Sequence, residues 1–252
     1  MAKFVLIHGM FHGAWCWDRL LPQLAARGHS AIVPNLAGCA GDPTPPEHCT
    51  LERWAGDVAN AIMAQGDPVI VVGHSRGGLV ASQVAEQAAQ QVAGVVYLTA
   101  VMLPHGTAMA TMADLLAQSG HADDSDVPFP IGFSEDRRWL LPPDPDAWFH
   151  EGYTGEDREW SRAQIAPEPS TALAAPLHLS PGRYGALPRF YIATLQDKIL
   201  PIATQRAMIA VAGPVETYTL DTGHMPNVTH TAELAEILDD IAHRVGAPAS
   251  QV

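Results

Sequence analysis

Lysine is almost missing from this chain. Lys3 and Lys198 are its two lysines, and 14 basic residues in all stand against 27 acidic ones, a formal net charge of −13 over 252 residues. No basic run appears, so nothing offers a grip on a phosphate backbone and nucleic acid is not an expected partner. The acidic surplus favours solubility and weighs against strongly anionic substrates. Long apolar runs are missing as well, so no segment is expected to span a bilayer and no membrane partner is expected. The chain opens Met1-Ala2-Lys3 and passes at once into a strand-like run, so no secretory leader is expected and the cytoplasm is the expected compartment. Cysteine is scarce and odd in number. Cys16, Cys39 and Cys49 read as reduced thiols rather than a disulfide frame, and their spacing is not that of a zinc site. No metal or cofactor is required. Internal repeats are absent. The use of Arg in place of Lys, with abundant Ala, is that of a GC-rich bacterial genome.

What is present is the composition of a globular protein: 47% apolar and 16% charged residues, in a chain long enough for one large core or one core with an inserted cap. Short apolar runs alternate with helical patterns through the first hundred residues. Phe4–Ile7 reads as a first strand, and Trp17–Ala26 as a helix stopped by Gly28. Ala31–Pro34 follows as a strand, then a helix opening at Thr50, a strand at Pro68–Val72, a helix at Leu79–Gln90 and a strand at Val92–Thr99. This alternation predicts an α/β fold with a mostly parallel sheet and helices on both faces. From Val101 to Leu187 the pattern breaks. No buried strand is expected there, short helices are expected near Ala108–Gln118 and Glu135–Phe149, and the segment holds eight of the 17 aromatic residues. It reads as a helical cap (101–187) inserted into a core formed by 1–100 and 188–252. The strand pattern resumes at Pro188–Thr194, with a helix at Ile202–Ala212, a last strand at Val215–Leu220, a helix at Thr231–Val245 and a frayed tail after Gly246.

The most informative stretch is Gly73-His74-Ser75-Arg76-Gly77, a G-x-S-x-G motif with an apolar strand before it and a helix pattern behind it. That context makes it a nucleophile elbow, with the Ser75 hydroxyl at the C-terminal edge of the sheet beside a helix N-terminus. Gly73 and Gly77 would let strand and helix close together. A serine hydroxyl needs a base, and the base needs an orienting acid. Asp197 follows the Phe190–Thr194 strand and His224 follows the last strand, so both reach the edge where Ser75 sits. Asp221 competes as the acid but stands too close in sequence to His224 to reach its far nitrogen, and reads as a turn residue. The oxyanion would be held by backbone N–H groups of Arg76 and of the first-strand loop, with Met10 the expected donor. His8 is expected to prop that loop, while His12 could line the pocket or serve the structure. Arg76 at a helix N-terminus opposes the helix dipole, so it should meet either a carboxylate of the fold or a polar or acidic group of the substrate.

With these residues placed, the chain resembles the α/β-hydrolase superfamily, and within it the plant methylesterase and hydroxynitrile lyase branch with its bacterial esterase relatives. The resemblance rests on Phe4-Val5-Leu6-Ile7-His8-Gly9-Met10-Phe11-His12-Gly13-Ala14-Trp15-Cys16-Trp17, the elbow, Gln196-Asp197-Lys198 and Gly223-His224-Met225. It implies an α/β-hydrolase fold and two possible chemistries. Lyases of that branch carry Thr where this chain has Gly9 and Lys where it has Met225, whereas its esterases carry Gly and a non-basic residue. The implied function is therefore a serine carboxylic-ester hydrolase acting through an acyl-enzyme on a small apolar or aromatic ester. The alternatives are a lyase or C–C bond hydrolase with the same triad, or a small-molecule receptor on the same fold. The family's esterases often have Leu or Met where this chain has Arg76. Gly9, Phe11, His12, Trp139, Trp148 and Met225 are the candidate pocket residues. Homo-oligomerisation is left open.

Overall fold

The structure, a computed structural model, describes residues 1–118 and 129–246; the expected frayed tail lies outside them. Nine strands occur among the described residues: β1 (Lys3–Ile7), β2 (Ser30–Ile32), β3 (Val69–His74), β4 (Val92–Leu98), β5 (Gly132–Phe133), β6 (Trp139–Leu141), β7 (Glu168–Pro169), β8 (Arg189–Thr194) and β9 (Glu216–Leu220). Six of them form one sheet in the order β2-β1-β3-β4-β8-β9, with every neighbouring pair parallel. Its register sets Val5 beside Val71, Val71 beside Val95, Val96 beside Phe190 and Ile192 beside Tyr218. The helices are α1 (Leu21–Ala26), α2 (Leu51–Met63), α3 (Gly77–Gln87), α4 (Met112–Gln118), α5 (Pro145–Trp148), α6 (Gly155–Arg162), α7 (Ile202–Ala212), α8 (Pro226–Thr229) and α9 (Thr231–Gly246).

The two-residue period of the strands divides the core between the two faces of this sheet. Val5, Ile7, Val69, Val71 and Val95 pack with α2, α3 and α7, while Phe4, Leu6, Ile70, Val72 and Val96 pack with α1 and α9. Covered on both sides, the central strands carry unbroken apolar runs rather than alternating ones. Helix α2 shows how locally this is encoded. Thr50 caps it by accepting the Arg53 N–H at 3.1 Å, and Leu51, Trp54, Ala55, Val58, Ala59 and Ile62 form its buried side. The chain steps from β1 outward to β2, then returns to β3 on the other side of β1. The carboxyl ends of β1 and β3 therefore flank a topological switch point, the place where open α/β sheets bind their ligands.

The insertion between β4 and β8 departs from the expected pattern. A helix does form as α4, preceded by a 3-10 turn at Met109–Thr111. The helix expected over Glu135–Phe149 is replaced by strand β6 and the four-residue α5. Pro142, Pro143 and Pro145 account for this: each lacks an N–H, and each disfavours the helical region in the residue before it. Strands β5, β6 and β7 make a small antiparallel sheet, with Phe133 and Glu168 both opposite Leu140. Leu140 and Glu168 are buried, so the expectation of no buried strand in this segment is overturned. Elsewhere boundaries move by a few residues. Trp17 closes a 3-10 turn and α1 starts at Leu21, and β2 begins at Ser30.

Candidate active site

Ser75 follows the last residue of β3 and adopts φ +53°, the left-handed region that a side-chain-bearing residue enters at a cost of about 1–3 kcal/mol. The turn is held from both sides. Ser75 N–H donates to Leu98 O, and Ser75 O accepts from Gly78 N–H and Val101 N–H at 3.0 and 2.9 Å. It closes tightly because Gly73 and Gly77 lack side chains. A Cβ at Gly73 would lie 2.5 Å from Gly77 O, and one at Gly77 would lie 2.7 Å from the carbonyl oxygens of Ile7 and His8. Two small residues thus allow the start of α3 to seat against the ends of β1 and β3.

Two later strands bring a carboxylate and an imidazole to the same edge. His224 Nδ1–H donates to Asp197 Oδ2 at 2.6 Å, which leaves Nε2 as the free lone-pair nitrogen. Asp197 is anchored on every side: Oδ2 also accepts from the hydroxyls of Thr99 (2.5 Å) and Thr194 (3.3 Å), and Oδ1 from the N–H groups of Ile199 and Leu200 at 2.7 and 2.9 Å. Burial would raise its pKa, but the facing imidazole and these donors outweigh it and hold the carboxyl below the ordinary aspartate value. Asp221 is exposed and accepts from Gln196 Nε2, as befits a turn residue. His74 was passed over in the sequence because its motif position admits any residue. Its Nε2–H donates to the His224 carbonyl at 2.8 Å, and the two rings lie 4.8 Å apart. Burial first, then His224, push the His74 pKa well down, so this ring is neutral.

The loop after β1 faces Ser75. A Cβ at Gly9 would lie 2.9 Å from Ser75 Cβ and 3.0 Å from His74 Nδ1, so no side chain fits there without movement. His8 Nδ1–H donates to Gly9 O at 2.9 Å while its Nε2 accepts the Leu36 N–H, which props the loop. His12 Nδ1–H donates to Met10 O at 2.6 Å. Burial, aided by Arg76, pushes His8 down to about 3, and burial pushes His12 down to about 4. Among the described residues, neither the Met10 N–H nor the Arg76 N–H donates to any protein atom. The Arg76 side chain meets a carboxylate of the fold: Nη2 lies 2.9 Å from Glu168 Oε2, with both side chains 1% exposed and the guanidinium over the Trp54 ring. Glu168 was missed because nothing marks one acidic residue among prolines in a segment without a clear pattern.

Ser75, His224, His12 and His74 open onto one cavity of about 120 Å³. Its remaining walls are apolar, with Met10 and Ile199 from the sheet edge and Met109, Met112, Phe129 and Phe149 from the insertion. The predicted pocket residues separate on this point. Gly9 abuts Ser75 and His12 lines the cavity. Phe11, at φ +62°, is buried behind the wall against the rings of Phe129 and Phe149. Trp148 stands one ring farther out, edge-on to Phe129 at 5.4 Å. Trp139 belongs to β6 and lines an open groove with Gly38 and Gly41, and Met225 is packed in the core at the start of α8. Trp139, Trp148 and Met225 thus do not line the cavity: sequence could not order the insertion in space, and the turn after His224 carries Met225 into the core. No group of three His, Cys, Asp or Glu residues suited to a metal ion occurs among the described residues, and no helix there is long and apolar enough to cross a membrane.

Residues 4–237 match the model of the alpha/beta hydrolase family. Among curated proteins, the chain is similar to methylesterase 7 of Arabidopsis thaliana, with 30% identity covering 96% of each chain. It is equally similar to a pyrethroid hydrolase of Sphingobium wenxiniae, with 30% identity covering 96% of this chain and 88% of that one. Among solved structures, a crystal structure of a pyrethroid hydrolase superimposes with a TM-score of 0.82 at 27% identity, covering 96% of this chain and 98% of that chain.

Proposed function

Since the chain belongs to the alpha/beta hydrolase family, we propose that it is a serine carboxylic-ester hydrolase acting through an acyl-enzyme, with Ser75 as nucleophile, His224 as base and Asp197 as orienting acid. The observation that carries this reading is the 2.6 Å His224–Asp197 hydrogen bond, made on the wall of the cavity that holds a strained Ser75. His224 Nε2 takes the proton of Ser75 as Oγ attacks the ester carbonyl carbon. The carbonyl π electrons move onto oxygen, and the free N–H groups of Met10 and Arg76 receive the resulting anion. Asp197 holds the tautomer of His224 and stabilises the imidazolium. Collapse of the tetrahedral intermediate breaks the ester C–O bond, and His224 returns its proton to the leaving alcohol. His224 then takes a proton from a water that attacks the acyl carbon, the bond from that carbon to Ser75 Oγ breaks, and His224 returns the proton to Oγ as the carboxylic acid leaves. No metal or organic cofactor takes part in these steps.

The choice of ester hydrolysis over lyase chemistry is supported at Gly9. The lyases that the chain resembles carry Thr there, and here even a Cβ would collide with Ser75 and His74. Names of relatives point the same way, a methylesterase and a pyrethroid hydrolase. In this reading 101–187 is the cap of a core formed by 1–100 and 188–252, and its apolar contribution to the cavity selects a small apolar or aromatic ester. Three free, buried cysteines fit a reducing cytoplasm. Hydrolysis of a p-nitrophenyl ester series by wild type and Ser75→Ala, with fluorophosphonate labelling of both, tests the proposal. Ester turnover and labelling that vanish together in Ser75→Ala support it. Turnover of a cyanohydrin or a β-diketone without any ester hydrolysis would replace it with the lyase or C–C hydrolase reading.

A further inference from the structure

Two peptide groups flank the Cα of Met10, and between them they hold four polar atoms. Three of the four are gripped by buried side chains. Gly9 O accepts from Arg76 Nη2 at 3.2 Å and from His8 Nδ1 at 2.9 Å. Met10 O accepts from His12 Nδ1 at 2.6 Å. The Phe11 N–H donates to Glu168 Oε2 at 2.9 Å. The fourth is the Met10 N–H, which has no partner among the described residues. The cap grips the same point once more, since Ala166 N–H donates to Phe11 O at 3.2 Å, and Phe11 is itself held at φ +62°.

We propose that the buried Arg76–Glu168 ion pair is a positioning device that aims and polarises the Met10 N–H toward the oxyanion, so that Glu168 of the cap governs acyl transfer from outside the reacting shell. The proposal rests on the assignment of Ser75 as nucleophile and of the Met10 N–H as donor. The mechanism follows from the geometry of a trans peptide, in which C=O and N–H point in opposite directions. A guanidinium drawing on Gly9 O therefore fixes the direction of the Met10 N–H and, through a charge-assisted bond, leaves that N–H a stronger donor. Glu168 sets where the guanidinium stands and at the same time holds the next peptide. The atoms that pair, Nη2 and Oε2, are the atoms that reach the loop. Among the described residues, Arg76 Nε and Nη1 and Glu168 Oε1 have no hydrogen-bond partner although buried. A buried pair with half its capacity unmet is a poor stabilising element, whereas its two used atoms are placed on the oxyanion loop.

The test compares wild type with Glu168→Gln, which keeps an acceptor for Phe11 and removes the charge, and with the double variant Arg76→Met/Glu168→Met, which removes both charges and guards against a fold lost to one unpaired buried ion. Three readouts are taken: ester kinetics, fluorophosphonate labelling of Ser75, and inhibition by an alkyl trifluoromethyl ketone beside the matching methyl ketone. Removal of an oxyanion donor lowers kcat on the order of 10²–10³-fold. A donor that is kept but misaimed should lose at least about tenfold. The expected result is a kcat at least about tenfold lower in both variants, with KM within about twofold. Binding of the trifluoromethyl ketone, which forms an oxyanion with Ser75, should weaken by the same factor while the methyl ketone binds as before. A folded Glu168→Gln with wild-type kcat, or equal weakening of both ketones, would overturn the inference and leave the Ser75 reading intact. A wild type that neither hydrolyses esters nor takes the label would remove both.

Discussion

Acidification from pH 7 to pH 4.5 should strip this protein of much of its stability. The cause is the group of buried imidazoles behind the reactive edge. Burial holds His8 down to about 3 and His12 down to about 4, and it pushes His74 down as well. In the unfolded chain each would titrate near ~6.5. Between those values the unfolded state binds protons that the folded state refuses, so stability falls as pH falls. Each fully separated histidine contributes a slope of about 1.4 kcal/mol per pH unit. Two units below the unfolded value, His8 and His12 each lose ~2–3 kcal/mol, or ~5 kcal/mol together. That is comparable with the whole stability of many domains, about 5–15 kcal/mol. Asp197 acts lower down: its folded pKa is depressed, so its contribution is lost only as pH falls through that lowered value. Urea unfolding followed by circular dichroism at half-unit steps should show ΔG falling by roughly 2–3 kcal/mol per unit between pH 6 and 4.5. His12→Asn keeps a donor close to Nδ1 and should make the slope shallower by about one proton. A ΔG that stays flat over this window, or a slope unchanged in His12→Asn, would show that these rings are solvated or charged in the native state.

Three further outcomes follow from the cavity and its edge. Gly9→Thr brings a Cβ to 2.9 Å from Ser75 Cβ, so kcat on any ester should fall by at least about 10²-fold, since a displacement of about 1 Å at reacting groups has that effect; steady-state kinetics at wild-type-like far-UV dichroism would read it. Asp197→Asn leaves His224 in the wrong tautomer and should lower kcat on the order of 10⁴-fold while Ser75 stays in place, and residual activity of even a tenth would argue that another carboxylate orients the base. A free volume of about 120 Å³ is close to a cavity of about 150 Å³ that holds one benzene. Acyl chains beyond about four carbons should therefore lose kcat/KM by at least tenfold, and a rising profile out to ten carbons would mean that the insertion opens far wider than it stands.

The legible part of this chain was the part whose physics is local. A buried parallel strand needs an unbroken β-branched run, so Val69–Val72 announced β3. A tight strand-to-helix turn needs small residues at fixed offsets, so Gly73 and Gly77 announced the elbow. Asp197 and His224 were legible because each directly follows a strand run, and parallel strands bring their C-terminal ends to one edge. What stayed hidden depends on contacts between distant segments. Thr99 reads as an ordinary strand end, yet it closes on a carboxylate oxygen 98 residues away. Strands β5 and β7 are two residues each, and β6 three, too short to leave a period. Trp139 and Trp148 looked alike in the sequence, as aromatic residues of one insertion, and only their places around Phe129 and Gly38 tell them apart.

The switch-point strands β1 and β3 lead into Ser75 and the loop that faces it, while β8 and β9 lead into Asp197 and His224. Each is held mainly by backbone and by side chains of the sheet edge. The insertion supplies apolar wall, such as Met109, Met112 and Phe129, whose contribution is shape and dryness. Apolar walls exchange for others of similar volume at small energetic cost, usually under about 1.5 kcal/mol, so substrate size can drift without touching the chemistry. Glu168 is the exception. It is a residue of the insertion whose carboxylate bonds to the loop after β1 and to Arg76 at once, and burial raises its pKa above the ordinary carboxylate value while Arg76 opposes that rise. Substitutions at Met112 should move KM and chain-length preference with kcat preserved on the best substrate. Substitutions at Glu168 should move kcat across every substrate alike. A Met112→Ala variant with kcat lowered on short and long esters by one common factor would refute this separation, because it would place the wall, too, in the reacting geometry.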